Sequence, residues 1–111
     1  MALPKLGSTV YILTFVEDKP HCVTKDTVYM KNNKSFIVEN ALSNTIIDEY
    51  RTEYSDEQNI GYCSSWHKSL KEVKIALNEY EKIVGKYGDH VHCKLEKQSE
   101  DSWHVEIEKV E

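Results

Sequence analysis

The chain has 111 residues, 40% hydrophobic and 30% charged, with 14 Lys+Arg against 19 Asp+Glu. A chain of this length buries enough surface to fold as one domain without disulfide or metal staples, so residues 1–111 read as a single unit. Four Gly and two Pro exclude collagen-like and long-linker architectures, and no apolar run nears the roughly 20 residues needed to cross a bilayer.

The charge is uneven. Residues 39 to 61 hold six acids and a single Arg, and residues 96 to 111 hold six acids and two Lys. Affinity for nucleic acid comes from clustered Lys and Arg that release counterions, so this balance argues against direct nucleic-acid binding and for a protein partner with a basic surface. The first seven residues lack the apolar core of a secretory signal, which leads to the expectation of a cytoplasmic protein. Cys22, Cys63 and Cys93 are widely spaced and form no CxxC pair, a pattern of reduced thiols rather than a disulfide framework.

Val10 to Val16 alternates β-branched and aromatic residues on two faces and predicts a central strand. Glu17 to Pro20 predicts a turn, Cys22 to Met30 a half-solvated strand, Lys31 to Lys34 a polar turn and Ser35 to Glu39 a third strand, together a meander. Over residues 40 to 61 the reading is strand and then loop, and Tyr62 to Trp66 predicts a short strand closing toward the meander. Ser69-Leu70-Lys71-Glu72 is a capping box, with Ser69 taking the Glu72 amide and the Glu72 carboxylate returning to the Ser69 amide. Leu70, Val73, Ala76, Leu77, Tyr80, Ile83 and Val84 then form the apolar stripe of a helix, with Gly85 at its C′ position and Lys71, Lys74, Asn78, Glu81 and Lys82 on a solvated face.

A hairpin follows. With Lys97 to Asp101 as its loop, Leu95 pairs with Trp103, Cys93 with Val105 and Val91 with Ile107 on the buried face, and His92 with Glu106 outside. The fold expected is therefore α+β: a small curled antiparallel sheet, meander plus C-terminal hairpin, with one amphipathic helix packed on it.

No phosphate-cradling, dinucleotide or zinc-protease motif occurs. Cys63-x3-His67 before the helix and His90-x-His92-Cys93 after it would make a metal site if the helix returned both groups to one place. A strand, however, turns Cys93 away from the two histidines, and structural zinc favours tighter pairs, so small core cysteines are the simpler reading. Cys63 beside His67 at the helix start is the one pair placed for thiol catalysis, and it lacks an orienting third group. No metal, cofactor or catalytic residue is assigned.

The stretch Asp48 to Trp66 carries the functional expectation, because aromatics there are interleaved with acids. Tyr and Trp dominate interface hot spots, so Asp48, Glu49, Tyr50, Glu53, Tyr54, Asp56, Glu57, Tyr62 and Trp66 are the candidate partner-binding residues. Against this stands the plainer reading that these rings close the edge of the core.

Gly61-Tyr62-Cys63-Ser64-Ser65-Trp66-His67-Lys68-Ser69-Leu70-Lys71-Glu72, preceded by Gly7-Ser8-Thr9-Val10-Tyr11, resembles a segment of small accessory proteins from phages and prophages of Gram-positive bacteria. Those proteins run from a G-x-x-V-Y strand through a meander into one helix. Ala76 here carries the small residue expected earlier in the helix, and the acidic hairpin is additional. The resemblance implies a non-enzymatic inhibitor of a host defence nuclease, of the anti-CRISPR kind, acting by occluding a basic nucleic-acid-binding surface. The alternatives are a small nucleotide-sequestering protein or enzyme with a pocket between sheet and helix, using Cys63, His67 and His92, and a structural phage component, with a homodimer through an edge strand.

Overall fold

The computed structural model describes residues 3–31, 35–39, 53–55 and 64–110. Among these are β1 (Thr9–Val16), β2 (Lys19–Lys31), β3 (Ser35–Val38), β4 (Glu53–Ser55), β5 (Ser64–His67), α1 (Leu70–Gly85), β6 (Val91–Ser99) and β7 (Ser102–Lys109). Every strand pairing is antiparallel. The order β4-β3-β2-β1-β5 forms one path, and β7, carrying β6, pairs separately with β2. The α+β expectation is met: among the described residues one helix lies on an antiparallel sheet that does not close.

The sheet forks because β2 is long. Its 13 residues extend about 43 Å at roughly 3.3 Å per residue, more than one neighbour needs. One edge pairs with β1 from Lys19 to Thr27. The other is shared, with Cys22–Thr24 against β7 and Val28–Lys31 against β3.

β1 is buried on both sides, as its double alternation requires. Val10 and Ile12 join Val28, Phe36, Val38 and Trp66 in one cluster, with Leu3 against it. Leu13 joins Val23, Val73, Leu77, Cys93 and Val105 in a second cluster beneath α1, flanked by Tyr11, Phe15, Trp103 and others. The helix stripe is narrower than its sequence suggests: Val73 and Leu77 are buried, whereas Ile83 is 54% exposed.

Several local expectations shift. The β1–β2 turn is Glu17-Asp18 alone, at φ 52° and 65°, between the paired residues Val16 and Lys19. Pro20 is a buried strand residue beside the register break at Thr14/Phe15, where a missing N–H is tolerated. Positive φ at both central positions is what a two-residue hairpin turn demands and what Asn-Gly supplies most readily. Glu17→Asn with Asp18→Gly should therefore stabilise the fold by about 1 kcal/mol, read as a higher urea midpoint at unchanged slope.

At the start of α1 the Ser69 hydroxyl accepts from the Glu72 amide at 3.2 Å, as expected. The Glu72 carboxylate accepts instead from the Lys68 amide, at 3.1 Å. At the far end Gly85 is still helical. The left-handed residue is Gly88, φ 91°, after which the Asp89 amide returns to the Val84 carbonyl.

The hairpin is offset by two residues from the expected register. β6 runs to Ser99, and the loop is only Glu100-Asp101. Cys93 faces Ile107, Leu95 faces Val105, Lys97 faces Trp103 and His92 faces Glu108. A shift of two leaves every side chain on its expected face. A bulge between Lys97 and Ser99 and a bond from the Lys25 amide to the Asp101 carbonyl at 2.7 Å set the tighter turn against β2.

Candidate functional site: a lysine-rimmed groove between helix and edge strand

α1 packs on the sheet beside β6, the strand that pairs with β7. Along this seam Leu70, Leu77, Leu95 and Trp103 line a groove of about 510 Å³, with Lys74, Asn78, His92, Lys94 and Lys97 around it. Leu70, Lys74, Leu77 and Asn78 recur at three- and four-residue steps, so one helical face makes one wall. Leu95 and Lys97 project toward the helix by strand alternation, while His92 and Lys94 sit on the outer face of the same strand. Trp103 forms the base, its ring 5.9 Å from that of Tyr11. Among the described residues no carboxylate lines the groove, although the whole chain carries a formal charge of −5.

Farther along α1, outside the groove's lining, Glu81 meets β6. Its carboxylate accepts from the Cys93 amide at 2.6 Å and lies 3.4 Å from His92 Nδ1. Burial, reinforced by that carboxylate, pushes the Cys93 thiol up to about 11. The thiol is therefore protonated at neutral pH and a poor nucleophile.

A second polar arrangement lies at the start of α1. Ser65 Oγ and His67 Nε2 are 2.8 Å apart, both residues on β5 and both 7% exposed. Burial holds the imidazole below its usual range, partly opposed by the Glu72 carboxylate. This looks like a nucleophile and its base, but a reacting serine must meet substrate, and neither side chain is open to any. The pair is a buried polar contact within β5.

Of the sequence-predicted site residues, Asp48, Glu49, Tyr50, Asp56, Glu57 and Tyr62 lie outside the described residues, as does Cys63. Glu53 and Tyr54 belong to β4, with Tyr54 opposite Phe36. Trp66 is corrected. It is 0% exposed, faces Ile12 across the β1–β5 pair and meets Phe36 edge to face at 5.2 Å. It is a core residue and presents nothing to a partner.

The arrangement imagined for a metal also separates. His67 sits at the N-terminal end of α1, whereas His92 and Cys93 sit beside Glu81 near the other end, because a 16-residue helix spans about 24 Å before the chain turns back. Among the described residues no three His, Cys, Asp or Glu side chains cluster as metal ligands. No described helix is long and apolar enough to cross a membrane.

The alternative of a pocket between sheet and helix named His92, which lines the groove, but the sequence reading assigned Lys74 and Asn78 to an ordinary solvated face. Lys94 and Lys97 were visible as strand and loop cations, but nothing local said that they border the same groove as Lys74.

No protein family matches the chain, and neither a curated protein nor a solved structure shows significant similarity to it.

Proposed function

We propose that this protein is a non-enzymatic binding module whose ligand site is the groove between α1 and β6, and that the ligand is anionic with an apolar portion. The observation that carries the reading is the combination at one place of an apolar floor and three lysines, with no carboxylate among the described residues, in a chain that is acidic as a whole. Scattered surface lysines serve solubility. Lysines gathered around Leu70, Leu77, Leu95 and Trp103 make an environment that selects negative charge over an apolar contact.

The test is binding of the anionic fluorophore 1-anilinonaphthalene-8-sulfonate, followed by energy transfer from tryptophan. Reversing Lys74, Lys94 and Lys97 to Glu together should weaken binding about tenfold, on about 0.5 kcal/mol per exposed pair, and remove its salt dependence. Reversing Lys71, Lys86 and Lys109, which are exposed elsewhere, should change it less than about twofold. Equal loss in both triple variants would reject the groove as the site.

The inhibitor reading is a second proposal, supported by the six acids and one Arg of residues 39 to 61. In it, that acidic stretch occupies the basic channel of a defence nuclease. Salt-sensitive capture of such a nuclease, lost when Tyr50, Tyr54, Asp56 and Glu57 are replaced together, is its expected result, and unchanged capture by that variant would reject it.

A further inference from the structure

We infer that the groove receives an extended acidic peptide segment, which adds to the sheet as a strand on the open edge of β6. The inference rests on the groove being a binding site and names what occupies it.

The backbone carries the first step. In an antiparallel pair, alternate residues direct both N–H and C=O toward the partner strand, and the residues between direct theirs away. The Val110 amide donates to the His90 carbonyl at 2.8 Å, which continues the β6–β7 register in which His92 faces Glu108 and Lys94 faces Glu106. Even-numbered residues of β6 therefore bond to β7. Val91, Cys93, Leu95 and Lys97 direct their backbone groups outward, and the Cys93 amide does so visibly, since it meets the Glu81 carboxylate from α1.

The next outward groups on that edge belong to Leu95 and Lys97. Opposite them α1 offers Asn78 and Lys74 in place of a carboxylate, and the groove opens there. Among the described residues β6 pairs with β7 alone, so this is an edge of the sheet.

Side chains carry the second step. Lysines on an edge strand commonly guard against pairing with other strands, and that is the plain reading of Lys94 and Lys97. A guard does not require an apolar floor, yet Leu70, Leu77, Leu95 and Trp103 supply one beside the open backbone. Charge then selects the occupant: Lys74 on the helix side and Lys94 and Lys97 on the strand attract carboxylates from either face of an added strand. An added strand alternates its side chains, one set toward the Leu70–Leu77 wall and the other toward Lys94. From Cys93 to Lys97 the edge accommodates about five residues, roughly 17 Å.

The probe is an acetylated, amidated seven-residue peptide of alternating glutamate and leucine, added to the full-length nitrogen-15-labelled protein. The expected result is at least tenfold slower exchange of the Leu95 amide at saturation, with displacement of the sulfonate fluorophore. The same peptide N-methylated at every residue should bind at least tenfold more weakly, and its lysine-for-glutamate counterpart should not bind.

Equal binding by the N-methylated peptide, with the Leu95 amide unaffected, would overturn strand addition while leaving the groove reading intact. Failure of the fluorophore to respond to the Lys74, Lys94 and Lys97 reversal would overturn both. Concentration-dependent protection of the Leu95 amide without peptide, together with a dimer in sedimentation, would overturn the inference by showing that a second copy occupies the edge.

Discussion

Replacing Trp66 by Ala is expected to destabilise the protein by about 3–5 kcal/mol, the range for removing a large aromatic from a packed core. The indole is fully buried, lies across from Ile12 and stacks edge to face on Phe36. Its removal withdraws contact from Val10, Val28 and Val38 in the same cluster. A loss of this size is a large share of the 5–15 kcal/mol that typically separates folded from unfolded domains. Trp66→Phe keeps a ring against Phe36 and should lose less, which provides a variant that still folds if Ala does not. Urea unfolding at constant slope measures both. A loss below about 1 kcal/mol for Ala would mean that this side chain is not where the core closes. Ile83→Ala, on the exposed side of α1, should stay within about 0.5 kcal/mol.

A second expected effect is a loss of stability on acidification that traces to His67. Its folded-state affinity for a proton is lowered by burial, with the Glu72 carboxylate opposing in part. Below the unfolded-state value of about 6.5, the unfolded chain binds a proton at this position that the folded chain resists, so stability rises with pH in that window. The contribution is fully present above about 6.5 and declines as pH falls toward the lowered folded-state value. Denaturant midpoints at pH 7.5, 6.5, 5.5 and 5.0 should show a decline that begins below about 6.5. His67→Gln can still bond to Ser65 and carries no titrating proton, so it should flatten the decline between pH 6.5 and 5.0. An unchanged pH profile in that variant would assign the decline to other groups.

Much of the fold was legible because its information is local. Alternation across Val10 to Val16 marks a strand buried on both faces, and the Leu70-Val73-Leu77 spacing with Ser69 in front marks a capped helix. The same locality explains the errors. Pro20 looks like a turn residue, but the register break at Thr14/Phe15 lets it sit in a strand, and the reversal falls on Glu17-Asp18. Two hairpin registers differing by two residues bury the same side chains, so the sequence pattern does not separate them. The seam to β2 at Asp101 does.

Trp66 shows the limit from the other side. An aromatic among acids is compatible with an interface or with a core edge, and its neighbours in sequence are the same in either case. Phe36, Ile12 and Val28 decide it, and they arrive from three other strands.

By itself, the sequence determined the class of fold, the helix with its N-cap and the buried faces of the strands, since these follow from side-chain period and capping chemistry within a few residues. Tertiary structure alone decided that β2 splits its free edge between β3 and β7, and that Trp66 is interior. It alone also decided that Lys74, Lys94 and Lys97 border one apolar floor beside an edge of β6 that is unpaired among the described residues. These features depend on which segments of the chain meet, and contacts between distant segments are set by packing of the whole domain rather than by any local pattern.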